Sequence, residues 1–408
     1  MSMKLEALTD RTPTVLFGAF DRHNFGDLLI AQVAARMLPR RELLFAGLAR
    51  RDPHGDGGPP TVALARIAAF ARGRAVIVIH AGGELLTCNA WEAAVMLAPA
   101  QRVQALIAEE DEWLRDTRTW AREHVGVASL APYALSKSAL PGVRVQHLSF
   151  NAVGGVDLDV RDTALRADVL AALQSADTIT VRERQTLARL AEMGVNARLI
   201  PDPAVMTAAL FGATIRRHAA NKAMRDVREA FPRGYAAVQF SADFGDDATL
   251  DMLAAQLERV TQSHGMGIVL FRAGAAPWHD DLAVYERLAG RLRVTTARVF
   301  ASLNLWDICA LIAGSRVYCG GSLHGRIVAM AYALPRINIS HPDHLALSRK
   351  HVAYAATWEA AGLAGTVPLD GLANAVDRAM AADRETLRNT ALELARQYRT
   401  EFAALARK

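Results

Sequence analysis

Apolar and polar residues follow two alternating patterns along most of the chain. Short continuous apolar runs, typical of strands buried on both faces, are separated by longer segments with apolar residues at helical spacing. The predicted strands are Thr14–Phe17, Ala75–His80, Val143–Phe150, Thr178–Val181, Ala197–Ile200, Ala236–Phe240, Gly267–Phe271, Val317–Cys319 and Ile337–Ile339. The predicted helices include Asp27–Leu38, Thr163–Gln174, Arg184–Glu192, Thr249–His264, Asp280–Arg291 and Leu305–Ile312. This succession predicts parallel α/β sheets flanked by helices.

These strands are too numerous for one compact sheet, so we expect two Rossmann-like domains facing a cleft, with ligands at the carboxyl ends of the strands. A polar, breaker-rich stretch after Pro203 and before Gly234 favours a domain change near residues 205–230. We predict an N-terminal domain over residues 1–215 and a C-terminal domain over residues 216–345. The spacing of apolar residues within residues 346–408 predicts a helical segment that packs back on the N-terminal domain.

Composition is that of a globular protein with sizeable cores, since 51% of the 408 residues are hydrophobic and 22% are charged. The formal net charge is +5, and only five of the 47 basic residues are lysine. This excess favours anionic ligands or peripheral association with an acidic membrane surface. Nucleic-acid binding is not expected, because no basic stripe with interleaved aromatic residues is present.

The cysteines predict a reducing compartment. Cys88, Cys309 and Cys319 form no CxxC pair and lie among apolar or small residues, which is typical of buried thiols. The first ten residues carry two acids and no hydrophobic core, and no later run reaches about 18 apolar residues. We therefore expect a cytoplasmic protein without signal peptide or membrane span, with the inner face of the membrane as an alternative location.

The segment from Arg316 to Pro335 is the most informative part of the sequence. A short apolar strand leads into Gly320-Gly321, Ser322 is a candidate N-cap, and a helical pattern follows until Pro335. His324 is thereby predicted in the first helical turn, where backbone N–H groups and the helix dipole favour an anion and an imidazole exchanges protons near neutral pH. The alternative is an ordinary helix start with an incidental histidine.

Two glycine-containing loops also follow predicted strands. In the loop from Gly18 to Asp27, His23 and Asn24 are candidates for hydrogen bonds to a sugar, whereas Asp27 is either a ligand contact or the helix N-cap. The spacing differs from the dinucleotide fingerprint, so NAD is not expected. Gly82 and Gly83 allow close approach of a ligand to the backbone.

Charged side chains follow further strands. Arg182 is a candidate clamp for phosphate or carboxylate, with a salt bridge to Glu183 as the alternative, and Asp202 either caps a helix or faces the cleft. Arg272 and His279 are candidates for the same cleft, although His279 beside acids also suits a capping role. No serine-hydrolase elbow, zinc-protease spacing or Walker loop is present, which disfavours those classes.

Taken in order, Asn24-Phe-Gly-Asp27, His80-Ala-Gly-Gly83, Val181-Arg-Glu183, Asp202-Pro-Ala204, His279-Asp-Asp281 and Ser322-Leu-His-Gly325 resemble the motifs of the polysaccharide pyruvyl transferase family. The resemblance implies a bacterial transferase with a GT-B-like fold. It would move the pyruvyl group of phosphoenolpyruvate onto sugar hydroxyls of a cell-surface exopolysaccharide or its precursor, forming a ketal and releasing phosphate. No metal or further cofactor is implied. Many members read Arg-x-His-Gly where this chain has Ser322.

The resemblance implies roles for individual residues. His324 would be the catalytic acid/base. Donor binding would fall to Arg182, Arg272, Arg326, Gly321 and Ser322, and acceptor binding to Asn24, Asp27, Gly82, Gly83 and His279. The saccharide acceptor is either lipid-linked or soluble. Two alternatives stay open: an inverting GT-B glycosyltransferase that uses a nucleotide sugar, and a noncatalytic glycan-binding relative.

Overall fold

The computed structural model describes residues 12–38, 41–292, 297–343, 349–360, 362–363 and 365–406. Contacts divide the chain into two compact units. The first unit comprises Met1–His23, Asp27–Pro203 and Arg399–Lys408, and the second comprises Asn24–Gly26 and Ala204–Tyr398. Each unit contains its own parallel sheet, which confirms the predicted fold class of two Rossmann-like α/β units.

The first unit is built on a seven-stranded sheet in the order β3-β2-β1-β4-β5-β6-β7. Its strands are β1 (Thr14–Phe17), β2 (Leu43–Gly47), β3 (Val62–Ala63), β4 (Val76–His80), β5 (Val145–Val153), β6 (Thr178–Val181) and β7 (Arg198–Leu199). The central strands β1 and β4 are apolar and completely buried along their length, as expected for a sheet covered on both faces. Strand order reverses at β1, which pairs in parallel with both β2 and β4.

Helices cover this sheet. They are α1 (Phe25–Met37), α2 (Ile67–Ala71), α3 (Ala90–Leu97), α4 (Ala100–Ala108), α5 (Glu110–Arg115), α6 (Thr117–Val125), α7 (Thr163–Gln174) and α8 (Arg184–Glu192). The first residues of α1, Phe25 and Gly26, are counted with the second unit. Trp113 and Trp120 are buried and pack edge to face with ring centroids 5.4 Å apart, which ties α5 and α6 to the core.

The second unit has a six-stranded sheet in the order β10-β9-β8-β11-β12-β13. Its strands are β8 (Tyr235–Gln239), β9 (Gly267–Phe271), β10 (Ala297–Phe300), β11 (Val317–Gly320), β12 (Arg336–Ser340) and β13 (Thr366–Pro368). All neighbours pair in parallel, and strand order reverses at β8, between β9 and β11. Crevices at such reversals are where open α/β sheets bind ligands.

The helices of the second unit are α9 (Thr207–Ala219), α10 (Lys222–Ala230), α11 (Asp247–His264), α12 (Leu282–Arg291), α13 (Leu305–Ala313), α14 (Leu323–Ala331), α15 (Arg349–Trp358), α16 (Leu372–Met380) and α17 (Arg384–Ala406). The end of α17, from Arg399 onward, belongs to the first unit, where Glu401 pairs with Arg198. The predicted return of the C-terminal segment to the N-terminal unit is therefore confirmed for this end. Within the described residues, no helix has the length and apolar character needed to cross a membrane.

Some elements were not predicted. The stretch between Pro203 and Gly234, interpreted as polar and breaker-rich, contains α9 and α10. Each helix buries a narrow apolar stripe, with Phe211 and Ile215 on α9, while its other faces carry the polar residues that dominated the pattern. The unpredicted strands β2, β3, β10 and β13 are only partly buried. β3, β10 and β13 are too short or too polar to give a continuous apolar run, whereas β2 (Leu43–Gly47) has such a run and was overlooked. All three cysteines are free and buried, as predicted.

Candidate functional site

The reversal of strand order in the second unit brings Gln239 and Gly320 side by side. They are the last residues of β8 and β11 and are paired in register. A Cβ added at Gly320 would lie 2.6 Å from the carbonyl oxygen of Gln239, so this close approach requires glycine. The next amide, that of Gly321, donates to the same carbonyl at 3.1 Å. The crevice where this fold binds ligands is therefore lined by the Gly320–Ser322 turn.

The predicted N-cap of α14 is confirmed. The Oγ of Ser322 accepts a hydrogen bond from the amide of Gly325 at 3.2 Å. Tyr318 anchors the turn, because its hydroxyl donates to the Ser322 carbonyl at 2.9 Å and accepts from the Ser322 amide at 3.2 Å. Burial raises the pKa of the Tyr318 hydroxyl well above its usual value, which keeps this donor protonated. The backbone amide and carbonyl of Ser322 are consequently both hydrogen-bonded to Tyr318, and the Ser322 side chain is hydrogen-bonded to the Gly325 amide.

His324 lies in the first turn of α14, as predicted, and is 9% exposed. Its ring meets the Phe25 ring edge to face, with centroids 6.5 Å apart. On the other side it packs against Gly26, where an added Cβ would overlap with Nδ1 and Cγ of the imidazole. The position of the imidazole therefore depends on residue 26 having no side chain.

The segment Asn24–Gly26 is attached to the loop that follows β9. Asn24 forms an isolated bridge with Gly274, and the Phe25 amide donates to the Ala273 carbonyl at 2.9 Å. The side-chain oxygen of Asn24 accepts from the Gly26 amide at 2.9 Å. Asn24 thus serves the start of α1, and the alternative that made Asp27 the N-cap is wrong, because the helix begins two residues earlier than predicted.

Asp280 is a functional candidate that the sequence analysis missed. Its Oδ2 accepts from the Ala273 amide at 2.6 Å, and the Gln239 amide nitrogen lies 3.0 Å from each carboxyl oxygen. Burial raises the pKa of Asp280 to about 7, although these hydrogen bonds and the nearby Arg272 act in the opposite direction. The available signals were a polar residue, Gln239, at the end of the apolar β8 run and an acid directly after His279.

Arg272 and His279 flank the same loop. Arg272 directly follows β9 and is partly buried, and its Nε has no hydrogen-bond partner among the described residues. The ring of His279 packs on Gly274, where a Cβ would lie 3.0 Å from the imidazole Cγ. These contacts join the segment Asn24–Gly26 to the loop after β9 and to the start of α14. The three segments carry six predicted residues of the second unit, namely Asn24, Arg272, His279, Gly321, Ser322 and His324.

Arg326 is in the same helix as His324 but is completely buried among protein partners. Its Nε and one terminal nitrogen donate to Glu359 at 2.9 and 2.6 Å, and the other terminal nitrogen donates to the Gly365 carbonyl at 2.8 Å. Arg336 pairs with the same carboxylate. Burial opposes ionisation of Glu359, but the two guanidinium groups together hold its pKa below the usual value. This network favours a structural role for Arg326.

The first unit has its own candidates where β1 and β4 end. Gly82 and Gly83 have φ values of 112° and 90°, which favour glycine. A Cβ at Gly83 would lie 2.9 Å from Oδ1 of Asp27, and the Gly83 carbonyl accepts from the Gly154 amide at 2.8 Å. Asp27, Gly82 and Gly83 are therefore neighbours in the first unit.

Arg22 is a second residue that sequence reasoning missed. It is 8% exposed, lies over the Tyr133 ring at 5.3 Å, and has one terminal nitrogen 3.9 Å from Asp27. Its Nε and NH1 have no hydrogen-bond partner within the described part of the chain. Asp21 beside it accepts from Tyr133 at 2.8 Å and from two backbone amides. A single arginine in a loop gave no signal in the sequence.

Arg182 forms the salt bridge that was its alternative prediction. Its guanidinium donates to Glu183 at 2.8 Å, to Asp202 at 3.2 Å and to Glu84 at 2.6 Å. Arg182 is 1% exposed, and Glu183 and Asp202 are completely buried. Burial raises the pKa of the Glu183 carboxyl despite the adjacent guanidinium. Two predicted motifs, Val181–Glu183 and Asp202–Ala204, thus meet in one ion network of the first unit, together with Glu84, which directly follows Gly83.

Solved structures of the GT-B class have the same fold. A UDP-GlcNAc 2-epimerase from Neisseria meningitidis, bound to UDP-GlcNAc, matches with a TM-score of 0.53 at 8% identity, covering 98% of this chain and 100% of that one. The UDP-GlcNAc 2-epimerase of Methanocaldococcus jannaschii matches at 0.52 and 8%, covering 98% and 100%. An α,α-trehalose 6-phosphate synthase from Burkholderia multivorans matches at 0.51 and 16%, covering 97% and 98%. At these identities the likeness shows the fold alone.

The sequence match is more specific. Residues 153–344 match the family model of polysaccharide pyruvyl transferases, which confirms the resemblance over nearly half of the chain. The motifs at Arg182, Asp202, His279 and His324 lie inside these residues, whereas the loops at Asn24 and Gly82 lie outside them. No curated protein matches the sequence.

Proposed function

We propose that this protein transfers the pyruvyl group of phosphoenolpyruvate onto hydroxyls of a saccharide, forming a ketal and releasing phosphate. The observation that carries the proposal is the position of His324 inside the family-matched residues. It lies in the first turn of α14, at the strand-order reversal of the second unit. A helix N-terminus favours anions, and an imidazole there is suited to proton transfer.

Phosphoenolpyruvate carries a phosphate and a carboxylate, so its site needs backbone donors and a guanidinium. Arg182 forms ion pairs with the buried carboxylates of Glu183 and Asp202, and Arg326 forms one with the buried carboxylate of Glu359. We therefore assign the donor contact to Arg272, together with the backbone at Gly321 and Ser322. The unpartnered Nε of Arg272, judged within the described residues, supports this choice. Arg272 would replace the arginine that many family members carry at the position of Ser322.

The proposed reaction balances with one saccharide bearing two hydroxyls. His324 gives a proton to the methylene carbon of the enol, which becomes a methyl group. One hydroxyl oxygen bonds to the neighbouring carbon, the C–O bond to phosphate breaks, and the second hydroxyl oxygen bonds to the same carbon. One of the two hydroxyl protons returns to His324, and the other leaves with phosphate. A single histidine thus acts first as acid and then as base.

The acceptor is proposed to be a saccharide of a cell-surface polysaccharide or its precursor, either lipid-linked or soluble. Asn24 and His279 stay acceptor candidates in the second unit, to which His324 also belongs. Asp27, Gly82 and Gly83 stay candidates in the first unit. Arg22, one of whose terminal nitrogens lies 3.9 Å from Asp27, adds donors that suit sugar hydroxyls.

The test is to incubate the purified protein with phosphoenolpyruvate and a panel of saccharides. We expect release of phosphate and an acceptor whose mass increases by one pyruvic acid less one water. In a parallel incubation with nucleotide sugars, release of nucleoside diphosphate with glycosyl transfer would instead support the glycosyltransferase alternative. Donor binding without turnover on any saccharide would support the noncatalytic alternative.

A further inference from the structure

The second unit contains an amide side chain with a fixed orientation. Gln239 is 3% exposed, and its nitrogen lies 3.0 Å from both carboxyl oxygens of Asp280. Above its pKa of about 7, Asp280 is a carboxylate that accepts hydrogen bonds and donates none, so the amide of Gln239 turns its nitrogen toward Asp280. The Ala273 amide anchors the carboxylate from another side. The oxygen of Gln239 is therefore directed away from Asp280.

This oxygen, Oε1, is a buried acceptor without a hydrogen-bond partner among the described residues. It lies beside the Gly321 turn, where an added Cβ would be 4.0 Å away. Because residue 321 has no side chain, nothing from that residue covers the oxygen on the side of the turn. A buried acceptor without a hydrogen bond is energetically unfavourable, so a hydrogen-bond donor of a ligand would satisfy this oxygen.

The chemistry of the two substrates decides which one supplies that donor. The phosphate and carboxylate oxygens of phosphoenolpyruvate are acceptors and would be repelled by a carbonyl oxygen. A sugar hydroxyl carries an O–H that this oxygen accepts. Arg272, whose Nε is a donor without an acceptor within the described residues, follows β9 close to the same carboxylate. The site thus offers one unmatched donor and one unmatched acceptor.

The geometry points to Gln239 as a specificity-determining residue whose Oε1 accepts a hydrogen bond from one hydroxyl of the acceptor saccharide. Asp280 is the positioning residue that fixes the amide, and Gly321 places no side chain over the oxygen on the side of the turn. This inference deepens the proposed function and rests on it in that the ligand is a saccharide. It adds a requirement that one particular sugar hydroxyl be present.

The experiment measures binding without turnover, so it does not depend on pyruvyl transfer. Saturation-transfer NMR at pH 8, where Asp280 is ionised, measures affinities of methyl glycosides of glucose, galactose, mannose and N-acetylglucosamine for the full-length protein. Monodeoxy analogues of the best binder then identify the contacted hydroxyl. We expect one analogue to bind the wild-type protein about tenfold more weakly, the magnitude of one hydrogen bond to a fixed partner.

Two variants localise the effect. Gln239→Met removes the amide, and Gly321→Ala keeps the amide but covers its oxygen at ordinary contact distance. In both we expect the parent glycoside to bind about tenfold more weakly and the critical analogue to bind as it does to the wild type. Gly290→Ala, which adds a methyl group with no described atom within 4 Å, is the matched control and should keep wild-type affinities. This pattern is a thermodynamic cycle between one hydroxyl and one side chain.

Binding of every monodeoxy analogue with equal affinity would overturn the inference and would leave an ordered water as the partner of Oε1. Failure of the wild type to bind any of the glycosides would overturn it as well. If glycosides bind with the expected dependence on Gln239 but phosphoenolpyruvate yields no product, the proposed transfer fails and this inference stands. The Gly321→Ala variant keeps the test decisive if Gln239→Met does not fold.

Discussion

A methyl group placed at residue 26 should displace His324, the proposed catalytic residue, without altering any ionisable group. In Gly26→Ala, the added Cβ would lie 2.7 Å from the Cβ of His324 and would overlap with the nearest ring atoms. Ordinary carbon contacts begin near ~3.5 Å, so the imidazole has to move by about 1 Å or more. The Phe25 ring restricts movement on its side.

The magnitude follows from that displacement. A shift of about 1 Å in a reacting group commonly costs about 100-fold in rate, or about 2.7 kcal/mol of transition-state stabilisation. We also expect a loss of about 1–3 kcal/mol in stability, as for other overpacked sites. Pyruvyl transfer should therefore fall about 100-fold, while the variant remains folded.

The assay is phosphate release from phosphoenolpyruvate at saturating donor and acceptor, with urea unfolding of the same preparations. Gly290→Ala serves as the control, because its added methyl group meets no described atom within 4 Å. A Gly26→Ala protein that is folded and turns over at the wild-type rate would refute the assignment of His324, since the ring would have moved without consequence.

Three further substitutions test the buried charges. Glu359→Gln leaves Arg326 and Arg336 buried without their shared carboxylate and should lower the free energy of unfolding in urea by about 3 kcal/mol; an unchanged midpoint would contradict this. Arg182→Met leaves a cluster of carboxylates without a cation and should cost about 3 kcal/mol or more at pH 8, less at pH 5. Asp280 has a folded-state pKa of about 7, so its contribution to stability is present below about pH 4 and is lost as the pH rises through 7. Relative to Asp280→Asn, the wild type should therefore lose up to about 4 kcal/mol between pH 4 and 8, and parallel pH profiles of unfolding would contradict the raised pKa.

The central strands and the turn around His324 could be predicted from the sequence because their signals are local. Thr14–Phe17 and Gly267–Phe271 are largely apolar runs, and Thr178–Val181 consists of β-branched residues that favour a strand. The structure has all three strands at the predicted residues. Gly320-Gly-Ser322 combines a strand end, a glycine turn and an N-cap within a few positions. Such features depend on backbone conformation and burial, which neighbouring residues determine.

The partners of the candidate side chains could not be predicted, because they come from distant parts of the chain. Arg326 and its partner Glu359 are 33 residues apart in the sequence, and Gln239 and its partner Asp280 are 41 residues apart. From the sequence alone, Arg326 and Arg272 are both candidates for anion binding. Only the tertiary contacts distinguish the two arginines. Arg326 forms an ion pair with the buried carboxylate of Glu359, whereas the Nε of Arg272 has no hydrogen-bond partner among the described residues.

The central claim is that His324 delivers and accepts the proton in pyruvyl transfer. Its most direct test compares the wild type with His324→Gln, which has a similar size and hydrogen-bonding capacity but does not titrate. Phosphate release and ketal formation from phosphoenolpyruvate should fall by about 100-fold or more, with unfolding and donor binding unchanged. Turnover of His324→Gln within a few-fold of the wild type would contradict the account.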